Sequence, residues 1–157
     1  MARGYFGIGI YHPKTTENIG TLWRSAFLMG AEFIFTIGER YHKQPSDTPN
    51  TELYVPLLHF IDWEDFTKHV PSKSEIVCIE MTDKATELQN VFHPERAVYV
   101  LGAEDYGIPE EYMKGHQTIV IPSKRSSSYN VAVAGSIVMY DRMSKLGVGE
   151  WEYGCRK

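Results

Sequence analysis

The stretch IPSKRSSSYNVAVAGSIVMY, residues 121–140, is the part of the sequence that decides the fold. A strand-like end leads into a polar loop with four Ser, one Lys and one Arg, and Asn130 then opens an apolar helix. The first backbone N–H groups of a helix have no partner inside the helix, and Asn is a favoured residue for capping them. We therefore predict a binding loop ahead of a helix rather than a simple linker.

Two other segments, distant in the sequence, show a similar arrangement. NIGTLWRSA (residues 18–26) and YVLGAEDYGIP (residues 99–109) also place polar or Gly residues where an apolar run meets a helix start. We expect the three segments to come together in one site.

The composition is that of one ordinary globular domain covering residues 1–157, with 43% hydrophobic and 23% charged residues. No apolar run approaches the roughly 20 residues of a membrane span, and the N-terminal residues do not form a convincing signal peptide. Cys78 and Cys155 are the only cysteines, which predicts a reduced, cytoplasmic setting. Cys78 lies in an apolar run and is expected to be an inert core thiol.

The formal net charge of −4 argues against a surface that coats polyanions in general. A local cationic patch can still bind nucleic acid within an acidic protein. Lys124 with Arg125, and Arg156 with Lys157, are the candidate patches. Solvated surface charge is the preferred interpretation of the tail pair, whereas both interpretations stay open for the loop pair.

Short apolar runs alternate with helical patterns along the chain. The runs predict strands at residues 5–11, 32–37, 75–80, 97–101 and 117–121, and helical spacing predicts helices at residues 18–30, 109–114 and 130–146. A short helix is also expected before each of the strands at 75–80 and 97–101. This alternation indicates an α/β fold with a mostly parallel sheet and helices on both faces. The long polar loop at residues 39–52 is typical of a functional or mobile segment.

The segment 131–140 is small or apolar around its whole circumference. A helix of this kind must be buried on several sides. It is either a central core helix or part of a surface through which two copies associate, and we favour the dimer surface.

Several familiar signatures are absent from the sequence. It has no G-x-x-x-x-G-K-[ST] phosphate loop and no Cys/His spacing of a zinc site, so no metal is expected. Gly7 and Gly9 form a G-x-G without the third Gly of a dinucleotide fingerprint, which we interpret as a strand-packing feature. The six His are scattered and are interpreted as ordinary surface or packing residues.

Arg24 is the charge of most interest on the first predicted helix. It lies on the flank of the apolar stripe. From there it can reach a phosphate or carboxylate near the start of the helix. The alternative is a solvated Arg paired with Glu17 or Glu32.

Gly102 and Gly107 flank a short acidic stretch just after an apolar strand. Ligands of open parallel sheets lie outside the carboxyl ends of the strands. Gly lets the backbone approach a ligand closely, and Glu104 can fix the loop or accept a hydrogen bond from a ligand. The alternative is a Gly-rich turn with surface acids.

Together the three segments resemble the SpoU (TrmH-type) RNA ribose 2′-O-methyltransferases of the SPOUT superfamily. The first family motif, N-x-G-x-x-x-R-x-A, is matched by Asn18, Gly20, Arg24 and Ala26. The second, G-x-E-x-x-G-[IL] after a strand, is matched by Gly102, Glu104, Gly107 and Ile108. The third, an I-P loop ending in S-x-N, is matched by Ile121, Pro122, Ser128 and Asn130. The sequence departs from the family pattern at Ala103, Asp105, Ser123, Lys124, Arg125 and Tyr129.

The resemblance implies a fold whose C-terminal part is tied in a trefoil knot. It implies that S-adenosyl-L-methionine (AdoMet) binds in a bent form between the second and third motif loops. The implied cofactor-binding residues are Leu101, Gly102, Gly107, Ile121, Ser128, Tyr129 and Asn130. It also implies a homodimer with the last helix in the interface, and Arg24 as the catalytic residue in a site shared between protomers, organised by Asn18 and Glu104.

The implied reaction is methyl transfer from AdoMet to a ribose 2′-hydroxyl of RNA. Minimal members of the family act on the wobble position of the tRNA anticodon, so tRNA is the first expected substrate and rRNA the next. A non-catalytic AdoMet- or RNA-binding module is a second hypothesis. A flavodoxin-like nucleotide-binding protein is a third, from the fold pattern alone.

Overall fold

The structure, a computed structural model, describes residues 4–39, 54–103 and 105–147. Most of the predicted loop at residues 39–52, the predicted site residue Glu104, Cys155 and the cationic tail pair lie outside the described residues.

Within these described residues, seven strands form one sheet in the spatial order β3-β2-β1-β6-β4-β7-β5, and every neighbouring pair is parallel. The strands are β1 (Tyr5–Tyr11), β2 (Phe33–Ile37), β3 (Leu57–Phe60), β4 (Glu75–Ile79), β5 (Thr86–Glu87), β6 (Arg96–Gly102) and β7 (Gln117–Val120). The helices are α1 (Thr16–Leu28), α2 (Trp63–His69), the single turn α3 (Glu110–Met113) and α4 (Val131–Leu146). A 3₁₀ turn occupies Leu88–Asn90.

Helices cover both faces of the sheet, so the predicted α/β class is confirmed. On one face α1 and α4 pack over side chains such as Ile8 and Leu101. On the other face α2 and α3 pack over an aromatic cluster that includes Phe35 and Phe66. The trefoil knot implied by the family resemblance stays a prediction.

The G-x-G of β1 has the structural role predicted for it. A Cβ at Gly7 would collide with the ring of Phe33, and a Cβ at Gly9 with the ring of Phe35. Both rings belong to the neighbouring strand β2, so these glycines make room for core aromatics. Cys78 is fully buried, and burial raises the pKa of its thiol to about 12, in line with an inert core cysteine.

Two strands were not predicted from the sequence. β3 lies at one edge of the sheet, where its side chains are only partly buried, and β5 at the other edge has just two residues. The helix expected before β6 was also wrong, because this segment forms only the 3₁₀ turn. α1 begins at Thr16 rather than Asn18, since Thr15 already has the extended backbone of a helix cap.

A buried polar network fixes the C-terminal half of α4 to the sheet. Arg142 is 2% exposed and donates to the backbone oxygens of Pro94 (2.6 Å) and Glu95 (2.7 Å). The ring nitrogens of His93 lie 2.7 Å from the Tyr99 hydroxyl and 2.7 Å from a carboxylate oxygen of Asp141. Burial lowers the pKa of His93, although its contact with Asp141 opposes this.

None of the helices in the described parts of the chain is long and apolar enough to cross a membrane. Within the same residues there is no group of three or more His, Cys, Asp or Glu side chains that could hold a metal ion.

Candidate functional site

A cleft opens at the carboxyl ends of β4, β6 and β7, where ligands of parallel sheets bind. Its volume, counted to the open mouth, is about 440 Å³. The residues that line it are Ile79, Glu80, Met81, Leu101, Gly102, Ile119, Val120, Ile121, Ser128, Tyr129, Val131 and Ala134. The cleft therefore combines an apolar floor with polar loop ends.

The polar loop ahead of α4 forms one wall of the cleft and is closed by its own hydrogen bonds. The Tyr129 hydroxyl donates to the backbone oxygen of Pro122 at 2.9 Å, which spans the loop. The Arg125 backbone oxygen accepts from the Ser127 N–H at 2.9 Å and from the Ser123 hydroxyl. Every residue from 122 to 130 is exposed. The Ser-rich centre is thus a self-bonded loop that presents Lys124 and Arg125 to solvent.

Glu80, at the end of β4, connects the strand ends around the cleft. One carboxylate oxygen accepts from the Met81 N–H at 3.0 Å and the other from the Ile108 N–H at 3.0 Å. A Cβ at Gly102 would collide with this carboxylate, and one at Gly107 would lie 2.8 Å from it. The two glycines therefore leave room for Glu80, and since Gly102 also lines the cleft, the close approach of a ligand to its backbone stays a prediction.

Sequence reasoning missed Glu80, although a signal was present. The residue is the acid that directly follows the apolar run at residues 75–79. An acid at the carboxyl end of a central parallel strand faces the edge where ligands bind.

Asn130 joins the first and third motif segments. Its side-chain oxygen accepts from the N–H groups of Ala132 (3.0 Å) and Val133 (3.3 Å), which confirms the predicted cap of α4. Its amide nitrogen donates to the side-chain oxygen of Asn18 at 2.9 Å. One residue thus ends the binding loop, starts α4 and ties it to α1.

Small residues bring α1 and α4 into close contact beside this hydrogen bond. The Ser136 and Ser25 hydroxyls lie 2.9 Å apart. A Cβ at Gly135 would lie 2.5 Å from a methyl group of Leu22. This packing fixes the position of the first motif relative to the cleft.

Arg24 lies on the exposed side of α1, two turns beyond the first residue of the helix. This agrees with the predicted position two turns above Glu17, and its reach to a phosphate or carboxylate near the helix start stays a prediction. Within the described part of the chain it forms no hydrogen bond or ion pair with Glu17 or Glu32.

The structure brings most of the predicted site residues to this cleft. Five of them line it: Leu101, Gly102, Ile121, Ser128 and Tyr129. Gly107 packs against Gly102, and Asn130 begins the helix that forms a wall. Asn18 is joined to that wall through Asn130, whereas Arg24 does not line the cleft. Glu104 lies outside the described residues.

The fold and the cleft define a class of protein: a parallel α/β domain that binds its ligand at the carboxyl edge, against the loop before its last helix. Within that class, the model of the SpoU rRNA methylase family matches residues 6–140. The chain belongs to this family, as the three motifs predicted. No curated protein matches the sequence closely enough to count as a relative.

Solved structures of the same fold accompany the family match. One, described as giving insights into the 2-OH methylation of C/U34 on tRNA, has a TM-score of 0.75 and 21% identity, over 92% of this chain and 97% of that one. The TrmH/SpoU tRNA modifying enzyme of A. aeolicus has a TM-score of 0.80 and 18% identity, over 93% and 79%. An AdoMet-bound rRNA methyltransferase from Sinorhizobium meliloti has a TM-score of 0.77 and 21% identity, over 92% of this chain and 57% of that longer one.

Proposed function

We propose that this protein transfers a methyl group from AdoMet to a ribose 2′-hydroxyl of RNA. The observation that carries the proposal is the convergence of the family's second and third motifs on one cleft at the carboxyl edge of the sheet. AdoMet, when bound, supplies an electrophilic methyl group on a sulfonium.

The residues of the cleft suit AdoMet. Leu101 and Ile119 provide an apolar floor on which an adenine ring can lie. Backbone groups of Gly102 and Ile121, at the ends of two strands, are available for its polar edges. Ser128 and Tyr129 form the wall toward α4 and would hold the methionine part of the cofactor.

The transfer requires in-line placement of the acceptor hydroxyl and a route for its proton. Arg24 would position the RNA through a phosphate and stabilise negative charge at the acceptor, because a guanidinium remains protonated across the accessible pH range. Asn18 and Glu104 would organise the surroundings of Arg24.

The active site would be completed by a second copy of the chain. Arg24 is exposed on α1 and does not line the cleft of its own protomer. α4 also exposes Val133 and Tyr140, which are 46% and 58% exposed. A dimer formed through the outer sides of these helices would cover both residues and bring Arg24 toward the partner's cleft.

The first expected substrate is tRNA, at the wobble position of the anticodon loop. This proposal is supported by the structural similarity, over nearly the full length of both chains, to a protein whose structure is described in terms of tRNA methylation at C/U34. The similarity to an rRNA methyltransferase keeps rRNA as the second substrate to test.

Incubation with labelled AdoMet and either bulk tRNA or rRNA tests the proposal. We expect label in the tRNA fraction. Arg24→Ala should lose turnover and keep AdoMet binding, with Lys73→Ala, an exposed residue far from the cleft, as the matched control. A protein that binds AdoMet but labels neither RNA would be a binding module instead.

A further inference from the structure

A second cavity opens at the carboxyl edge of the sheet, next to the cleft described above. It lies beyond the ends of β1, β2 and β6 and has a volume of about 590 Å³ counted to its open mouth. The residues that line it are His12, Pro13, Lys14, Glu39, Ala103, Asp105 and Tyr106. None of them lines the first cleft.

The two cavities lie on either side of one loop. The strand order places β4 and β7 on one side of β6, and β1 and β2 on the other. Gly102 lines the first cleft and the next residue, Ala103, lines the second. A ligand in the second cavity would therefore lie beside a cofactor in the first, separated from it only by the end of β6.

The floor of the second cavity is held in a fixed arrangement. His12 has a positive φ of 50°, and its N–H donates to the backbone oxygen of Ile37 at 2.8 Å. Its ring packs edge-on against Tyr11, with ring centroids 4.5 Å apart, and over the backbone of Gly38. The Ala103 N–H donates to the backbone oxygen of Tyr11 at 3.2 Å, which joins β6 to the same floor.

The mouth of the cavity carries an aromatic ring and a cation. Tyr106 is 83% exposed, and its ring contacts no other aromatic ring of the described residues. Lys14 forms an ion pair with Asp105, which links the loop after β1 to the loop after β6. Both groups of this pair are about half exposed, so the pair lies at the mouth of the cavity in contact with solvent.

We propose that this cavity binds the unpaired base of the RNA nucleotide to be methylated, with Tyr106 stacking on the base. Stacking on an exposed aromatic is the usual way in which proteins hold unpaired RNA bases. His12 and Glu39 supply a polar edge for the base, and the adjacent position of the first cleft brings the attached ribose toward the methyl donor. The proposal rests on the proposed function and adds the residues that hold the substrate.

Three variants test the role of Tyr106. Tyr106→Ala removes the ring, Tyr106→Phe keeps the stacking surface, and Phe92→Ala is the matched control. Phe92 is 91% exposed and precedes β6 at the opposite edge of the sheet. For each variant, the KM for tRNA and the Kd for AdoMet are measured. Binding is followed in parallel by the fluorescence of an anticodon stem-loop RNA in which 2-aminopurine replaces the wobble base.

We expect Tyr106→Ala to raise the KM for tRNA about tenfold, the loss typical of one stacked base, and to abolish the change in 2-aminopurine fluorescence. Tyr106→Phe and Phe92→Ala should resemble the unaltered protein, and the Kd for AdoMet should be the same in all four. Equal effects of Tyr106→Ala and Phe92→Ala, or a weaker affinity of Tyr106→Ala for AdoMet, would overturn the proposal.

These measurements distinguish a failure of the proposed methyl transfer from a failure of the proposed base site. If the unaltered protein transfers no methyl group, the fluorescence measurement still decides the role of the cavity. RNA binding that depends on the Tyr106 ring would support the base site, and binding that is indifferent to the ring would contradict it.

Discussion

At the scale of single residues, the second motif is organised by a carboxylate outside the motif itself. Glu80 accepts hydrogen bonds from the backbone N–H groups of Met81 and Ile108. Its carboxylate also occupies the space that side chains at Gly102 and Gly107 would need. The glycines are required because the Glu80 carboxylate must approach the backbone closely. This residue therefore sets the shape of the loop that separates the two cavities.

We predict that Glu80→Ala weakens AdoMet binding about tenfold and lowers the free energy of unfolding by about 1 kcal/mol, the usual net contribution of an intramolecular hydrogen bond that is not deeply buried. Glu80→Gln keeps one acceptor oxygen and should lose about half as much. Titration calorimetry and urea unfolding measure the two quantities. If both variants bind AdoMet as the unaltered protein does, Glu80 does not organise the loop.

Asn130 has two separable roles, as the cap of α4 and as the link to Asn18. Asn130→Ala removes both, and we expect it to lower the free energy of unfolding by about 1–2 kcal/mol. Asn18→Ala removes only the link and is the matched control, with an expected loss below about 1 kcal/mol. Urea unfolding of both variants and of the double variant measures the coupling. Equal losses in the two single variants would mean that the cap contributes nothing.

At the scale of elements, the two ends of α4 are held in different ways. Its first turn is capped by Asn130 and linked to α1, while its last turns are fixed by Arg142 and by the contact between His93 and Asp141. The N-terminal end of α4 thus forms a wall of the cleft. Its C-terminal end is anchored to β6 and to the residues just before that strand.

The buried His93 makes the anchoring of α4 dependent on pH. Burial lowers the pKa of His93 below its ordinary value of 6.5, so on acidification the unfolded chain takes up the proton before the folded one does. The free energy of unfolding should therefore be highest above pH 6.5 and fall as the pH is lowered from about 7.5 to about 5.5. Part of the slope will remain without His93, since burial also lowers the pKa of His116.

His93→Gln tests this dependence, and the measurement is the urea midpoint across that pH range. We expect a smaller loss of stability on acidification in the variant than in the unaltered protein. His69→Gln is the matched control, because His69 is exposed. An unchanged slope in His93→Gln would mean that His93 is not the group that titrates.

The strands also show how much of the fold could be predicted from the sequence alone. The continuous apolar runs of β1, β2, β4 and β6 were predictable because both faces of these strands are buried. β3 and β5 were not, since edge strands are short and only partly buried and leave no strong pattern. Among the site residues, the cleft positions of Gly102 and Ser128 followed from the motifs. The place of Glu80 after the apolar run of β4 was a signal, but its contact with the Ile108 N–H depends on the fold and could not be predicted from the sequence.

At the scale of the whole molecule, the proposed active site requires two copies of the chain. We predict that Tyr140→Glu, which places a charge on the exposed side of α4, converts a dimer to a monomer and abolishes methyl transfer while AdoMet binding persists. Analytical ultracentrifugation gives the oligomeric state. Ile61→Glu, a charge on an exposed apolar residue just before α2 on the opposite face of the sheet, is the control. A monomeric unaltered protein with full activity would contradict the shared site.

The central claim is that the protein methylates the ribose of RNA. The most direct measurement is mass spectrometry of nucleosides released from tRNA after incubation with AdoMet and the protein. We predict a new 2′-O-methylated nucleoside that arises from the anticodon wobble position, and that is missing when Arg24→Ala replaces the unaltered protein. Methylation found only on a base, or no methylated nucleoside in either tRNA or rRNA despite bound AdoMet, would contradict the claim.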